Sequence, residues 1–228
     1  MANIGHGEKY EQVRKRLLYS AAKLFLQKGY SMTTVKELAA DAGTNTGVLM
    51  RTFGSKENIL AILVKYVLDE QFNQTEELLK GKTSDKILFY AAETTLQLHI
   101  VESNEHIREL YCAAYSLPAT TQIIQQTITG KLENLFKEHL PHLETKDFYE
   151  LEIASGGIMR GFMTIPCDMY FTMDRKIKRF LETTFLVYRV SDEKIKETID
   201  FVSQFDFKQI AEKLVQEMLE KVAEKAQY

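Results

Sequence analysis

The chain has 228 residues, 45% hydrophobic and 27% charged, with a formal net charge of −3 at pH 7, which by itself argues against a nucleic-acid partner. That apolar content is ample for one large or two small domains, and no apolar run approaches the roughly 20 residues that span a bilayer. The opening MANIGHGEKY lacks the apolar core of a signal peptide, and the two distant cysteines, Cys112 and Cys167, form neither a disulfide framework nor a metal-ligand spacing, so a soluble, cytoplasmic protein is expected.

Charge is unevenly placed. Residues 1–68 hold ten Lys/Arg and five Asp/Glu, net +5, while the other 160 hold 19 and 27, net −8. A basic head on an acidic body is what a DNA-binding module would leave in a sequence; ordinary charge scatter is the competing explanation. Residues 1–8 are polar and expected to fray. Over 9–28, Tyr10, Val13, Leu17, Ala21, Leu24 and Phe25 recur at helical spacing, and Gly29 ends that helix.

The stretch 33–56, TTVKELAADAGTNTGVLMRTFGSK, predicts two short helices joined by a tight turn. Thr34 and Glu37 are spaced as a capping box. Val35, Leu38, Ala39 and Ala42 give one apolar face. Gly43 supplies a left-handed stop, and Asn45 is a strong N-cap for a helix over 46–52. Val48 and Leu49 are expected to point inward, with Thr46, Gly47, Met50 and Arg51 outward. Two turns of helix have little reason to exist alone. A helix-turn-helix uses such a piece by laying it in the major groove. Asn45, Thr46 and Arg51 can donate to phosphates or base edges.

Ser55 caps a third start. From there no Gly or Pro interrupts the chain until Gly81, so a helix of about 24 residues, roughly 36 Å, leaves the head and enters the body. Helices follow over about 85–102 (cap Ser84), 105–116 (cap Asn104), 119–139 after a break at Pro118, and 146–165 (cap Thr145, with Pro166 ending or kinking it). The last ones fall at 174–190, 192–204 (cap Ser191) and from Asp206, paired with Gln209, to about Ala226. No alternating strand pattern is present, and an all-α fold is expected.

Residues 14–63 resemble the DNA-binding domain of the TetR (tetracycline repressor) family of bacterial transcription regulators. The resemblance rests on Leu17, Ala21, Leu24, Phe25, Gly29 and Tyr30, then Thr33-Thr34-Val35, Leu38-Ala39, Ala42-Gly43, Gly47, Leu49, Phe53, Ser55-Lys56-Glu57 and Leu60. Met50 stands where the family usually has an aromatic, most often Tyr, Thr52 where an aromatic or His is common, and Thr44 where Val is usual. The resemblance implies a three-helix DNA-binding domain at 1–66, with its motif at about 34–53, and a larger helical ligand-binding and dimerisation domain at 67–228. It implies a homodimeric repressor that reads a palindromic operator and is released by a small-molecule effector. Thr33, Thr34, Lys36, Thr44, Asn45, Thr46, Gly47, Met50, Arg51 and Lys56 are the expected DNA contacts, with Lys36 and Arg51 reading bases and Thr34 and Lys56 holding phosphates. A helical ligand-binding or interaction protein with a head that no longer reads DNA is the alternative that Met50 and Thr52 leave open.

Ser155-Gly156-Gly157 and Gly161 fall inside one helix, where each Gly costs about 1 kcal/mol relative to Ala. Either they let 146–165 and 174–190 pair with a second copy, as the resemblance implies, or they pack within the chain. The effector is unnamed by the sequence. His99, Tyr111, Cys112, Tyr115, Met159, Phe162 and Tyr170 are candidate lining residues, with plain core packing as the other reading of each. His139 and His142 have no carboxylate or Cys set that makes a metal site. Phosphate-loop, GxSxG and HExxH motifs are missing, so neither an enzyme nor a resident cofactor or metal is expected.

Overall fold

Side chains at the helix starts set the order of elements. The computed structural model describes residues 4–225, and among these it contains eleven helices and no strand. They are α1 (Ile4–Lys28), α2 (Val35–Asp41), α3 (Thr46–Phe53), α4 (Lys56–Leu79), α5 (Lys86–Glu102) and α6 (Glu105–Ala114). The remainder are α7 (Pro118–Phe136), α8 (Thr145–Thr164), α9 (Met173–Val187), α10 (Asp192–Val202) and α11 (Phe207–Lys225). The expected caps Asn104, Ser191 and Asp206 accept from the N–H groups of Ile107, Lys194 and Gln209 at 2.9, 3.3 and 2.9 Å.

Several boundaries differ from the sequence reading, each for a local reason. α1 starts at Ile4 and so takes in most of the stretch expected to fray; residues 1–3 and Ala226 lie outside the described residues. Asp85, not Ser84, caps α5, its carboxylate accepting from the N–H groups of Ile87 and Leu88 at 2.8 and 3.2 Å. Pro118 opens α7 rather than merely breaking the chain, because the first helical position needs no N–H donor. Glu144 precedes α8, its own N–H donating to Asp147 at 2.7 Å, while the Thr145 hydroxyl turns away to Glu133. Pro166 ends α8 without kinking it: the preceding Ile165 is forced out of helical geometry, at φ −99 and ψ 112.

Two apolar clusters organise the packing. The head cluster joins Leu17 and Phe25 of α1, Leu38 of α2, Leu49 and Phe53 of α3 and Leu60 of α4. It is completed from outside residues 1–66 by Leu68, Ala114 and Ile124. The body cluster surrounds α5, of whose 17 residues twelve are buried, the mark of a helix enclosed on all sides. Tyr90 of α5 meets Phe136, Phe185 and Tyr188 at ring-centroid distances of 5.3, 5.6 and 5.4 Å, with Phe136 and Tyr188 stacked at 4.2 Å. α4 contributes to both clusters, Leu60 to one and Leu79 to the other, so it is the rigid member common to head and body.

One ion pair lies inside the body. The Lys176 side chain is fully buried, and its ammonium donates to Glu102 at 2.6 Å and to the Ile165 carbonyl. Glu102 also accepts from Arg108 at 3.3 Å and from the Cys167 N–H at 3.2 Å. Burial works to raise the Glu102 pKa, but these donors hold it below the usual value. Removing one partner of a buried pair strands the other charge. With Arg108 still in place, Lys176→Ala is expected to destabilise the fold by about 3 kcal/mol, at the low end for such losses. The shift in urea midpoint at unchanged m checks it.

Candidate nucleic-acid interface

The motif is built from local hydrogen bonds outward. Thr33 sits in the loop before α2, 1% exposed, its hydroxyl donating to the Gly29 carbonyl at 2.7 Å. Thr34 and Glu37 form the expected box: the Glu37 N–H donates to the Thr34 hydroxyl at 3.2 Å, and the Thr34 N–H to the Glu37 carboxylate at 2.8 Å. Lys28 donates to the same carboxylate, and these bonds, Lys28's first, hold it down at about 2. Asp41 at the end of α2 accepts from Ser20 and Lys23 of α1.

Gly43 makes the turn at φ +62, a left-handed conformation costly for residues with a Cβ, and the Thr44 N–H closes it onto the Ala39 carbonyl at 2.9 Å. Asn45 then caps α3 by accepting from the Val48 N–H at 3.0 Å. Leu49 and Phe53 are buried, whereas Thr46, Met50 and Arg51 face outward, Met50 48% exposed. Gly47 lies against the cap: a Cβ there would come to 3.2 Å from the Asn45 side-chain oxygen. The Thr52 hydroxyl donates to the Val48 carbonyl within the helix. Lys36 of α2 and Arg51 of α3 are exposed and have no ion-pair partner among the described residues.

Lys56 differs from the free phosphate ligand expected. Its ammonium donates to the Tyr30 and Thr33 carbonyls at 2.8 and 2.9 Å and lies 4.0 Å from the centre of the Tyr30 ring. Burial lowers its pKa, and the Glu109 carboxylate opposes that shift. It acts as a staple between the loop before α2 and the start of α4. Two further bonds tie this end of the head to the body. The Ser31 N–H donates to Glu109 of α6 at 2.7 Å, and the Ala119 N–H of α7 donates to Glu57 of α4 at 2.7 Å.

The candidate effector residues do not form one lining. Tyr170 is 78% exposed. His99 stacks on Phe207 at 6.1 Å, Phe162 packs edge-on against Phe180 at 5.6 Å, and Met159 belongs to the body core. Cys112 lies beside the Thr164 hydroxyl at 4.0 Å. Of the seven, Tyr111 and Tyr115 border two cavities. A small one of about 40 Å³ touches both, and a larger one of about 350 Å³, between α1, α4, α6 and α11, touches Tyr111. The residue missed is Gln71, 1% exposed on α4. Its signal was present: Leu60, Val64, Leu68, Gln71, Thr75 and Leu79 share one buried stripe, in which two polar residues need a reason.

Residues 17–62 match the family model described as bacterial regulatory proteins, tetR family. On those residues the chain resembles the tetR family. It is 26% identical over 155 residues to the HTH-type transcriptional regulator HbdR of Aromatoleum sp. (strain CIB), covering 66% of this chain and 61% of that one. It is 33% identical over 82 residues to the HTH-type transcriptional repressor KstR2 of Rhodococcus jostii (strain RHA1), covering 36% and 40%. The chain thus spans less than two thirds of the length of these curated relatives. The crystal structure of RolR in complex with the ligand resorcinol superposes with a TM-score of 0.67 at 16% identity, over 87% of this chain and 97% of that one. That likeness extends the shared fold from the TetR-family head through the body. Among the described residues, no helix is long and apolar enough to cross a membrane.

The body also buries two carboxyl groups. Burial pushes Glu93 of α5 and Glu152 of α8 each up to about 8. Glu152 lies beside Ser155, whose hydroxyl accepts from Tyr188 at 2.8 Å. Both acids are neutral in the fold at pH 7 but ionise near 4.5 when unfolded. The folded state therefore holds more protons between those values, and stability should fall as pH rises from about 5 towards 8. Glu152→Gln is expected to flatten that decline, read as Tm at pH 5 and pH 8; an equally steep decline in the variant would assign it to other groups.

Proposed function

We propose that this chain is a cytoplasmic, homodimeric transcriptional repressor that reads a palindromic operator and leaves it when a small-molecule effector binds. Residues 1–66 act as the reading head and 67–228 as the effector-binding and dimerisation body. The observation that carries this is the outer face of α3. Thr46, Met50 and Arg51 are presented to solvent on a helix whose other face is locked into the head core, within the first 68 residues, whose net charge is +5. The regulators HbdR and KstR2 support the class.

Arg51 and Lys36 read bases, and their lack of an ion-pair partner leaves both heads available. Thr34, Thr44, Asn45 and Thr46 hold the backbone, Gly47 allows close approach, and Met50 contacts a thymine methyl. Thr33 and Lys56 position this surface from beneath.

A second copy accounts for two glycines. Gly156 is tight inside the chain, where a Cβ would come to 2.9 Å from Glu152. Gly157 and Gly161 face open space, with nothing within 4 Å of a Cβ. They share the exposed side of α8 with Tyr149 and Ile153, and α9 likewise exposes Leu186, at 65%. Close approach of a partner's helices along 146–165 and 174–190 gives those glycines their purpose, and two-fold symmetry matches a palindromic site.

Selection from a random duplex pool, followed by fluorescence anisotropy between 50 and 200 mM salt, tests the reading. A preference of about 10³ for one palindrome is expected; binding that stays equal on all DNA would reject operator reading. Arg51→Ala should cost about 1–3 kcal/mol and relax one position in each half-site. Equal loss at every sequence would instead mean a phosphate contact. Ile153→Glu should convert dimer to monomer in sedimentation velocity and lower operator affinity, while a dimer that persists would place the interface elsewhere.

A further inference from the structure

The cavity of about 350 Å³ lies between the head and the body, not within the body. Leu18, Ala22 and Leu26 of α1 and Leu63 of α4 form its head side, and Leu110 of α6 and Leu214 of α11 its body side. An apolar cavity of about 150 Å³ holds benzene, so this one has room for a molecule of two rings.

Gln71, one of the residues that border it, carries an unmet hydrogen-bond donor. The Gln71 carbonyl oxygen accepts from the Tyr111 hydroxyl at 3.2 Å, which leaves the amide NH2 of this buried side chain without a partner among the described residues. A buried donor left unpaired is destabilising, and a ligand bearing an acceptor satisfies it. Glu70 and Glu217 border the cavity against a single Lys15, an excess of negative charge that disfavours anions.

We infer that this junction cavity is the effector site, and that it takes an uncharged, largely apolar molecule of about two rings with one carbonyl-type acceptor seated on the Gln71 amide. The inference rests on the effector-released reading above and extends the effector site from residues 67–228 onto α1 and the start of α4. Its position supplies the means of release. α1 and α4 carry the head, while α6 holds the loop before α2 through Glu109 and the Ser31 N–H at 2.7 Å. A molecule lodged between these helices changes their spacing, and close-packed helices transmit such a change to the elements they hold.

Benzophenone, two rings and one ketone, serves as both probe and photolabel for the full-length protein. Irradiation followed by peptide mapping is expected to place the label on residues 15–26, 62–71 and 110–111. 1,1-Diphenylethylene, with CH2 in place of the carbonyl oxygen, should protect at least tenfold less well than 2-methylbenzophenone. Gln71→Leu should abolish that difference. Ala22→Phe should reduce labelling at least tenfold, with Leu63→Phe as the second filling variant and the circular dichroism melt confirming that each folds. Labelling elsewhere, no labelling at 0.5 mM, or equal protection by the two competitors would overturn the site. Benzophenone should also lower affinity for the selected operator; labelled cavity with unchanged operator affinity would overturn its role as effector site. A protein that is labelled in the cavity yet binds no DNA selectively would remove the regulator reading and leave the ligand site, so the two failures are distinct.

Discussion

The eight residues Thr46–Phe53 form little more than two helical turns, and a helix of that length does not persist in water without support. Everything in the head answers that constraint. Asn45 satisfies an orphan N–H at the start of the helix, and Gly54 closes its end at φ +76. Leu49 and Phe53 anchor it from beneath. The helix before it is fixed by its own capping box and by Asp41, so the turn at Gly43 has two held ends. Thr46, Met50 and Arg51 are left with little to do inside the molecule, and a surface held this firmly is pre-organised for a partner.

The support does not stop at the head. α4 begins at the motif, capped by Ser55, and continues as one helix into the body core. Ala114 and Ile124 fill the head core from the other direction. Glu57 caps the start of α7, and Glu109 on α6 holds the Ser31 N–H. The head is therefore not hung on a flexible linker. Its pose is a property of how α1 and α4 sit against α6, α7 and α11, and the cavity of about 350 Å³ lies between α1, α4, α6 and α11.

Buried polar groups mark where the body departs from a plain hydrocarbon core. Lys176 and Glu102 satisfy one another and fasten the segment after α8 to α5. Glu93 and Glu152 are accommodated differently, by staying protonated at neutral pH. Gln71 is accommodated only halfway, through its carbonyl oxygen. These three outcomes follow from the same cost of desolvation, met by pairing, by neutralisation and by a partner still missing.

Much was legible in the chain because it is encoded within a few residues. Helix caps at Thr34, Asn45, Ser55, Asn104, Ser191 and Asp206 depend on spacing of two or three positions, and the apolar stripe of α1 depends on period alone. Even the misplaced starts at Ser84 and Thr145 erred by one residue, because the true caps Asp85 and Glu144 are adjacent and also polar. The motif at 34–53 was likewise a matter of local order, which is why the match at 17–62 falls where it was read. What the sequence by itself determined is thus the helical fold class, the element order and the outward face of α3. Only the tertiary structure decided that Thr33 is buried, that Lys56 grips two carbonyls, that Gly156 faces inward while Gly157 and Gly161 face out, and that Tyr111 alone of seven candidates borders the large cavity. Those facts depend on which helices from distant parts of the chain meet and at what distance, and that is set by packing across the whole fold rather than by any local pattern.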